Sequence, residues 1–257
     1  MTLNKLAKIF AVAALPIAAG CTKDIELPQI DGLSRIGDIE VNDRVRLPYD
    51  PEWLSIGLIN TGVGSCTGTI VAPDVVLTAD HCTKTRSGNP IATSSMTFNI
   101  IANPSGNSRQ SSVIDSAGVT DIIRPPRAMA RTSQNGRDIA YLVLDRPLGS
   151  RYGYEQIASR NIRGSQAAQQ IGFTPKYGHQ QMTGDLSCRV NDAANRDGVL
   201  NMDCNIYRGD SGGPVFVYER GRRVVAGVTA AGYLHPVHRT ERAYAASVVG
   251  FRPPKTR

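Results

Sequence analysis

A chain of 257 residues, 41% hydrophobic and 20% charged with a formal net charge of +7, has the composition of an ordinary globular protein, long enough for one large domain or two small ones. Disordered and collagen-like classes are excluded. No basic helix and no alternation of basic with aromatic residues accompanies the positive charge, so it reads as solvated surface and not as a nucleic-acid interface.

The first twenty residues differ in kind from the rest. Lys5 and Lys8 precede the apolar run IFAVAALPIAA, which is too short to span a bilayer comfortably and is interrupted by Pro16. A removable export signal over 1–20 is therefore expected. The residues AAGC resemble the lipobox of bacterial lipoproteins, with Ala18 where that pattern usually has Leu. This resemblance implies lipidation at Cys21, with ordinary signal-peptidase cleavage as the alternative. Either route takes the protein out of the cytoplasm to the bacterial cell envelope, in the periplasm or on the outer membrane as a lipoprotein. Residues 21–35 read as a lipid-anchored linker or a propeptide.

From about Trp53 the chain lacks helical periodicity. Short β-branched and apolar segments recur between turn residues: LSIGLI, TGTIVAP, DVVLTA, MTFNII, IAYLVL, GPVFVYE, RRVVAGVTA and AYAASVV. Many short strands with Gly and Pro punctuation indicate an all-β sandwich or barrel. Asn103 to Gly136 is polar and rich in Ser, Gly and Arg, and reads as long surface loops around the short segment VTDIIRP. The tail 251–257, FRPPKTR, reads as a frayed basic end because Pro253 and Pro254 cannot continue a helix.

Five cysteines become four if Cys21 is lipidated: Cys66, Cys82, Cys188 and Cys204. In an oxidising compartment these invite two disulfides, with three connectivities open.

Three segments can cooperate chemically. LTADHC ends a strand at His81, RDIAYLVLD opens one at Asp138, and NIYRGDSGGPVF sets Ser211 among glycines just before an apolar strand. Singly, each has an ordinary structural explanation as a polar, capping or turn residue. Together they supply a base, an orienting acid and a nucleophile in the order His, Asp, Ser. A serine hydroxyl is a poor nucleophile at neutral pH, so it needs a base to take its proton. Glycines around it leave backbone N–H groups open to a ligand.

TADHC, DIAYLVL and GDSGGPVF resemble the three catalytic blocks of the chymotrypsin-like serine peptidases, and the likeness covers residues 36 to 250. The stretches NDRVRLPYDPEWLSIGLI and MDCNIYRGDSGGP are more similar to the bacterial glutamyl-endopeptidase-like branch than to animal trypsins. The resemblance implies two packed six-stranded Greek-key β-barrels, over about 36–150 and 151–250, with the site between them. It also implies Ser211 as nucleophile, His81 as general base, Asp138 as its orienting acid, and an oxyanion hole from the N–H groups of Gly209 and Ser211. Disulfides Cys66–Cys82 and Cys188–Cys204 follow from the same likeness.

The substrate would be a polypeptide, with no metal or organic cofactor, no nucleic acid, membrane contact only through the lipid anchor, and a monomer expected. The specificity pocket is expected to have Asn205 near its base and Thr229, Ala230, Ala231 and Gly232 along its wall. Asn205 is neutral, unlike the base of a trypsin pocket, and Thr229 stands where glutamyl-specific enzymes have a histidine. Asp80 stands where this family usually has a small residue before the His, and Arg208 is placed to reach the pocket mouth.

Arg35-Ile36 resembles an activation site whose new ammonium would pair with Asp210, and a cut there would also release the enzyme from its anchor. Two other classes compete. A zinc site from His81, Cys82, His179, His235 and His238 lacks intact zinc spacing. A catalytically idle peptidase-fold binding protein at the envelope would have the same sequence pattern.

Overall fold

The computed structural model describes residues 34–35, 44–47, 50–102, 112–175, 181–191, 196–234 and 241–256. The export signal, the lipidation at Cys21 and most of the linker lie outside them, as do Ile36, His179, His235 and His238. Residues Gly32–Arg257 form one compact unit.

Strands β1 (Ser34–Arg35) and β2 (Arg44–Arg46) come first. They are followed by β3 (Ile56–Asn60), β4 (Ser65–Ala72), β5 (Val75–Thr78), β6 (Thr97–Ala102), β7 (Ser112–Ile123) and β8 (Ala140–Leu144). Strands β3 to β8 close into a six-stranded barrel in the order β3-β4-β5-β8-β7-β6. β5 lies between β4 and β8 and is buried along its whole length, as a continuous run of Val, Val, Leu and Thr requires. The interior is filled by Ile59, Ile70, Val76, Phe98, Ile100 and Leu142.

β7 corrects the expectation of long loops between Asn103 and Gly136. Twelve residues there form one strand, followed by the short helices α1 (Pro126–Met129) and α2 (Gln134–Arg137). β7 is largely exposed, so its sequence lacks the apolar alternation of a half-buried strand, and pairing with β6 and β8 supplies its order.

After helix α3 (Leu148–Tyr152) the second half contributes β9 (Ser165–Ala167), β10 (Gln169–Phe173), β11 (Met182–Asp185), β12 (Arg189–Asn191) and β13 (Val199–Met202). The last strands are β14 (Pro214–Glu219), β15 (Arg222–Leu234) and β16 (Glu241–Ser247). They make a curled sheet of ten strands, β1-β2-β11-β10-β14-β15-β16-β13-β12-β9. It exceeds the expected six because the leading strands β1 and β2 extend one edge, and because polar segments as short as three residues pair in register at the other. Val190, Leu200, Val215, Val217 and Ala245 form its core. The architecture is all-β and chymotrypsin-like.

Arg223 of β15 ties the two halves together. Its guanidinium lies 4.4 Å from the Trp53 ring centroid and 4.6 Å from that of Phe216, and it pairs with Glu155 (2.6 Å) and Glu52 (2.7 Å). Glu155 in turn accepts the Ser55 hydroxyl. Arg223→Ala leaves a largely buried carboxylate without its cation and removes the ring contacts. The expected loss is about 3 kcal/mol of unfolding free energy, read from denaturant midpoints, with activity at low temperature retained.

Candidate active site

β5 and β8 are antiparallel partners with Thr78 opposite Ala140. The chain leaving β5 and the chain entering β8 therefore emerge side by side, and His81 and Asp138 lie on those two extensions. His81 sits in a short 3-10 turn, Asp80–Thr83, anchored by the Cys66–Cys82 disulfide to β4. Asp138 sits at φ −73°, ψ 63°, closed by the Ile139 N–H donating to the Arg137 carbonyl (2.7 Å), an inverse γ-turn of the kind that opens strands. Its loop is fixed to the second half by Asp197, whose carboxylate accepts the Thr132 N–H (2.9 Å), the Thr132 hydroxyl (2.6 Å) and the Ser133 N–H.

The Asp138 carboxylate accepts from His81 twice, at the backbone N–H (2.8 Å) and at Nδ1 (2.6 Å). A proton held at Nδ1 leaves Nε2 as the basic nitrogen. Burial pulls the imidazole pKa down, but the hydrogen bond and charge of Asp138, with the charge of Asp80, outweigh it and the opposing Lys84, holding His81 above its ordinary 6.5. Asp80 itself pairs with Lys84 (2.5 Å) and Arg124 (2.6 Å), so this departure from the expected small residue acts on His81 through its charge and not through a direct bond.

Ser211 meets the first barrel through its backbone: its carbonyl accepts the Thr67 N–H of β4 (2.8 Å). The same sulfur, Cys82 Sγ, lies 3.7 Å from the Ser211 carbonyl and 3.8 Å from His81 Nε2. Among the described residues no hydrogen bond joins the Ser211 hydroxyl to His81, a looseness common before substrate is bound.

The flanking glycines are sterically required. Gly212 has φ +82°, and a Cβ there would lie 2.1 Å from Thr78 Oγ1 and 2.2 Å from the Thr67 carbonyl. Gly209 has φ +101°, and its Cβ would lie 2.3 Å from the Phe173 carbonyl. The peptide between Gly209 and Asp210 is held on both sides: the Gly209 carbonyl accepts the Thr67 hydroxyl (2.9 Å) and the Asp210 N–H donates to the Tyr207 carbonyl (3.0 Å). Among the described residues the Gly209 and Ser211 N–H groups have no protein acceptor.

Asp210 is fully buried and accepts a fork of two contacts from Arg44, Nη1 to Oδ2 and Nη2 to Oδ1, both 3.1 Å, plus the Tyr207 N–H at Oδ2 (2.7 Å). Burial, opposed by the Arg44 charge and that N–H, pushes the carboxyl up to about 6. Between its ordinary 3.8 and about 6 the folded state binds this proton more tightly than the unfolded chain, so the contribution of Asp210 to stability falls as pH rises through that window.

The expected pocket residues divide. Asn205 is half-buried; its N–H donates to Asp185 Oδ2 (2.8 Å) and its carbonyl accepts Arg44 Nη1 (2.6 Å). Thr229 is buried, with its hydroxyl accepting from Gln170 Nε2 (3.3 Å) and its backbone paired with Gly212 and Gly213, so its side chain faces the interior and not the cleft. Ala230 is buried and Gly232 is exposed beside the Ile206 side chain, while Arg208 is exposed.

Both disulfides form, Cys66–Cys82 and Cys188–Cys204. Cys82 is thereby removed as a thiolate ligand, which undercuts the zinc alternative. Arg44, Asp185, Gln170 and Arg124 were not picked out from the sequence. The alternation in DRVRL marks a strand at Arg44, but nothing in the sequence marks it as buried.

The family model described as trypsin matches residues 50–251. Among solved structures, a Glu endopeptidase aligns with a TM-score of 0.64 at 21% identity, over 82% of this chain and 93% of that one. The protease Anisep from Arthrobacter nicotinovorans aligns at 0.58 and 18%, covering 79% and 93%. The thermostable serine protease AL20 from an extremophilic microorganism aligns at 0.58 and 19%, covering 77% and 93%. These likenesses carry the fold, and the family model spans most of the chain: it belongs to the trypsin family of serine endopeptidases.

Proposed function

We propose that this protein is an exported endopeptidase that cleaves polypeptides outside the cytoplasm through an acyl-enzyme at Ser211. The observation that carries the reading is the double hydrogen bond of Asp138 to His81, which keeps a proton at Nδ1 and leaves Nε2 as the nitrogen able to accept one from Ser211. His81 takes the Ser211 proton as Oγ bonds to the scissile carbonyl carbon, and the N–H groups of Gly209 and Ser211 receive the oxyanion. The same proton then passes from Nε2 to the leaving nitrogen as the C–N bond breaks. Water repeats the sequence against the ester, returning Ser211 to its hydroxyl form.

A cavity of about 280 Å³ between the β3–β4 turn and Phe173–Pro175 adjoins Gly209 and offers room for the substrate chain. The two disulfides support a location outside the cytoplasm, and the N-terminal signal with Cys21 supports anchoring in the envelope. Domain limits of 36–250, a linker over 21–35 and a monomeric state complete the proposal.

Fluorophosphonate labelling of the purified protein with peptide mass mapping tests it. Label on Ser211, lost in Ser211→Ala and in His81→Ala, is the expected result. Folded protein that takes no label, either with the leading segment attached or after a cut at Arg35, would identify an idle binding protein instead.

A further inference from the structure

The residue before the nucleophile needs a cation, and in this chain that cation is already part of the fold. Arg44 enters through β2, which lies between β1 and β11 in the ten-stranded sheet and places Arg44 opposite Asp185 of β11. Its side chain and that of Asp210 are both fully buried. The guanidinium forks onto both oxygens of Asp210. It also donates to Gln170 Oε1 (2.5 Å), to the Asn205 carbonyl (2.6 Å) and to the Thr183 hydroxyl (2.6 Å) and carbonyl (3.0 Å).

Through these contacts one side chain touches the loop that carries the Gly209 and Ser211 N–H groups and the Asn205 carbonyl, and by way of the Gln170 amide it reaches the buried Thr229 hydroxyl of β15. A planar guanidinium makes such a set of directed bonds; a terminal ammonium is a compact charge with three donors. A carboxylate offers about four acceptor positions, and Asp210 already fills three of them, two with Arg44 and one with the Tyr207 N–H. An ammonium released at Ile36 would either add a second cation to a buried carboxylate whose single charge Arg44 already balances, or displace Arg44 and leave an uncompensated guanidinium inside the protein, and both are strongly unfavourable.

We propose that Arg44 is the built-in positioning residue of the oxyanion loop, so that the protein is active while its leading segment is still attached and needs no cut at Arg35–Ile36. The inference rests on the reading of Ser211 as nucleophile and adds its regulation: the anchored form and any form released by cleavage before Arg44 share one competent site. Cleavage then governs where the enzyme acts and not whether it acts.

The test uses the full chain with Ser211 labelling by a fluorophosphonate as the first readout. Arg35→Gln, which blocks the cut, should take label at the wild-type rate, with intact mass showing the leading segment still joined to the labelled protein. Arg44→Met should label about a hundredfold more slowly and lose kcat with KM little changed, because the loop that receives the oxyanion is no longer held. Arg44→Lys should be intermediate, and added guanidinium at non-denaturing concentration should restore part of the Arg44→Met rate.

Arg35→Gln that labels only after the segment is removed would overturn the inference, as would Arg44→Met that labels like wild type. If Arg44→Met fails to fold, the Arg35→Gln and Arg44→Lys arms decide. Wild-type protein that takes no label even after the segment is cut away would sink the nucleophile reading itself, a failure distinct from either of these.

Discussion

Asp138→Asn is expected to lower kcat/KM by about 10⁴ near neutral pH while leaving the fold and KM nearly unchanged. The size comes from a tautomer. An amide can still accept the His81 backbone N–H through its oxygen, but its NH₂ then faces Nδ1 and donates to it. The ring proton is driven to Nε2, and the nitrogen proposed to take the Ser211 proton ceases to be a base. The same change has a pH signature. His81 lies above its ordinary 6.5 because Asp138 and Asp80 outweigh burial, so the acid limb of wild-type activity falls above that value. Removing Asp138 leaves burial dominant, and the limb moves down.

Stability runs the other way: the raised His81 pKa contributes stability that is fully present below pH 6.5 and lost as pH rises through the folded pKa. The neutral imidazole needed for catalysis is the form that lacks this contribution. With the His81 side chain 45% exposed, solvent screens the effect to a small one, and activity is the cleaner readout. A pH–rate profile of the two proteins checks it. An Asp138→Asn variant with wild-type kcat/KM would remove Asp138 from the mechanism.

Legibility in the sequence followed the locality of each interaction. His81, Asp138 and Ser211 each sit in a short block whose neighbours dictate its backbone: a buried strand before His81, a strand start after Asp138, and glycines around Ser211. The Cys66–Cys82 pairing is implied by the family resemblance and not by the residues alone; it joins β4 to the extension of the adjacent strand β5. Arg44 illustrates the opposite case. Its partners Gln170, Thr183 and Asp210 are more than a hundred residues away, and a strand arginine is ordinarily solvated. The expectation that a new terminus at Ile36 pairs with Asp210 follows from the resemblance of Arg35-Ile36 to an activation site, and nothing local to that dipeptide marks Arg44 as a partner of the same carboxylate. Thr229 is expected along the pocket wall; it lies on β15, next to a register shift between Thr229 and Ala231, and its buried hydroxyl accepts from the Gln170 amide. Strands β9 to β13 escaped notice because they are three to five residues long and mix polar with apolar positions, owing their order to register with neighbours and not to their own pattern.

Gly209→Ala isolates the oxyanion hole. At φ +101° an L residue is strained, and the added Cβ meets the Phe173 carbonyl at 2.3 Å, Pro175 Cδ at 2.9 Å and Thr174 Cα at 3.2 Å. Two of these are backbone atoms that cannot swing aside, so the glycine peptide must turn and take its N–H away from the reacting carbonyl. Losing one such donor costs about 10² to 10³ in kcat with little change in KM, because the bond strengthens only as the oxyanion forms. Gly221→Ala is the control. It has a comparable φ of +78° but open space around the missing Cβ, and it lies in the β14–β15 turn away from the cleft. That variant should lose about 1 kcal/mol of stability and no activity. If both variants lose stability and neither loses kcat, the Gly209 N–H plays no part in the chemistry. If only Gly209→Ala loses kcat, the glycine matters through the direction of one N–H and not through backbone strain in general.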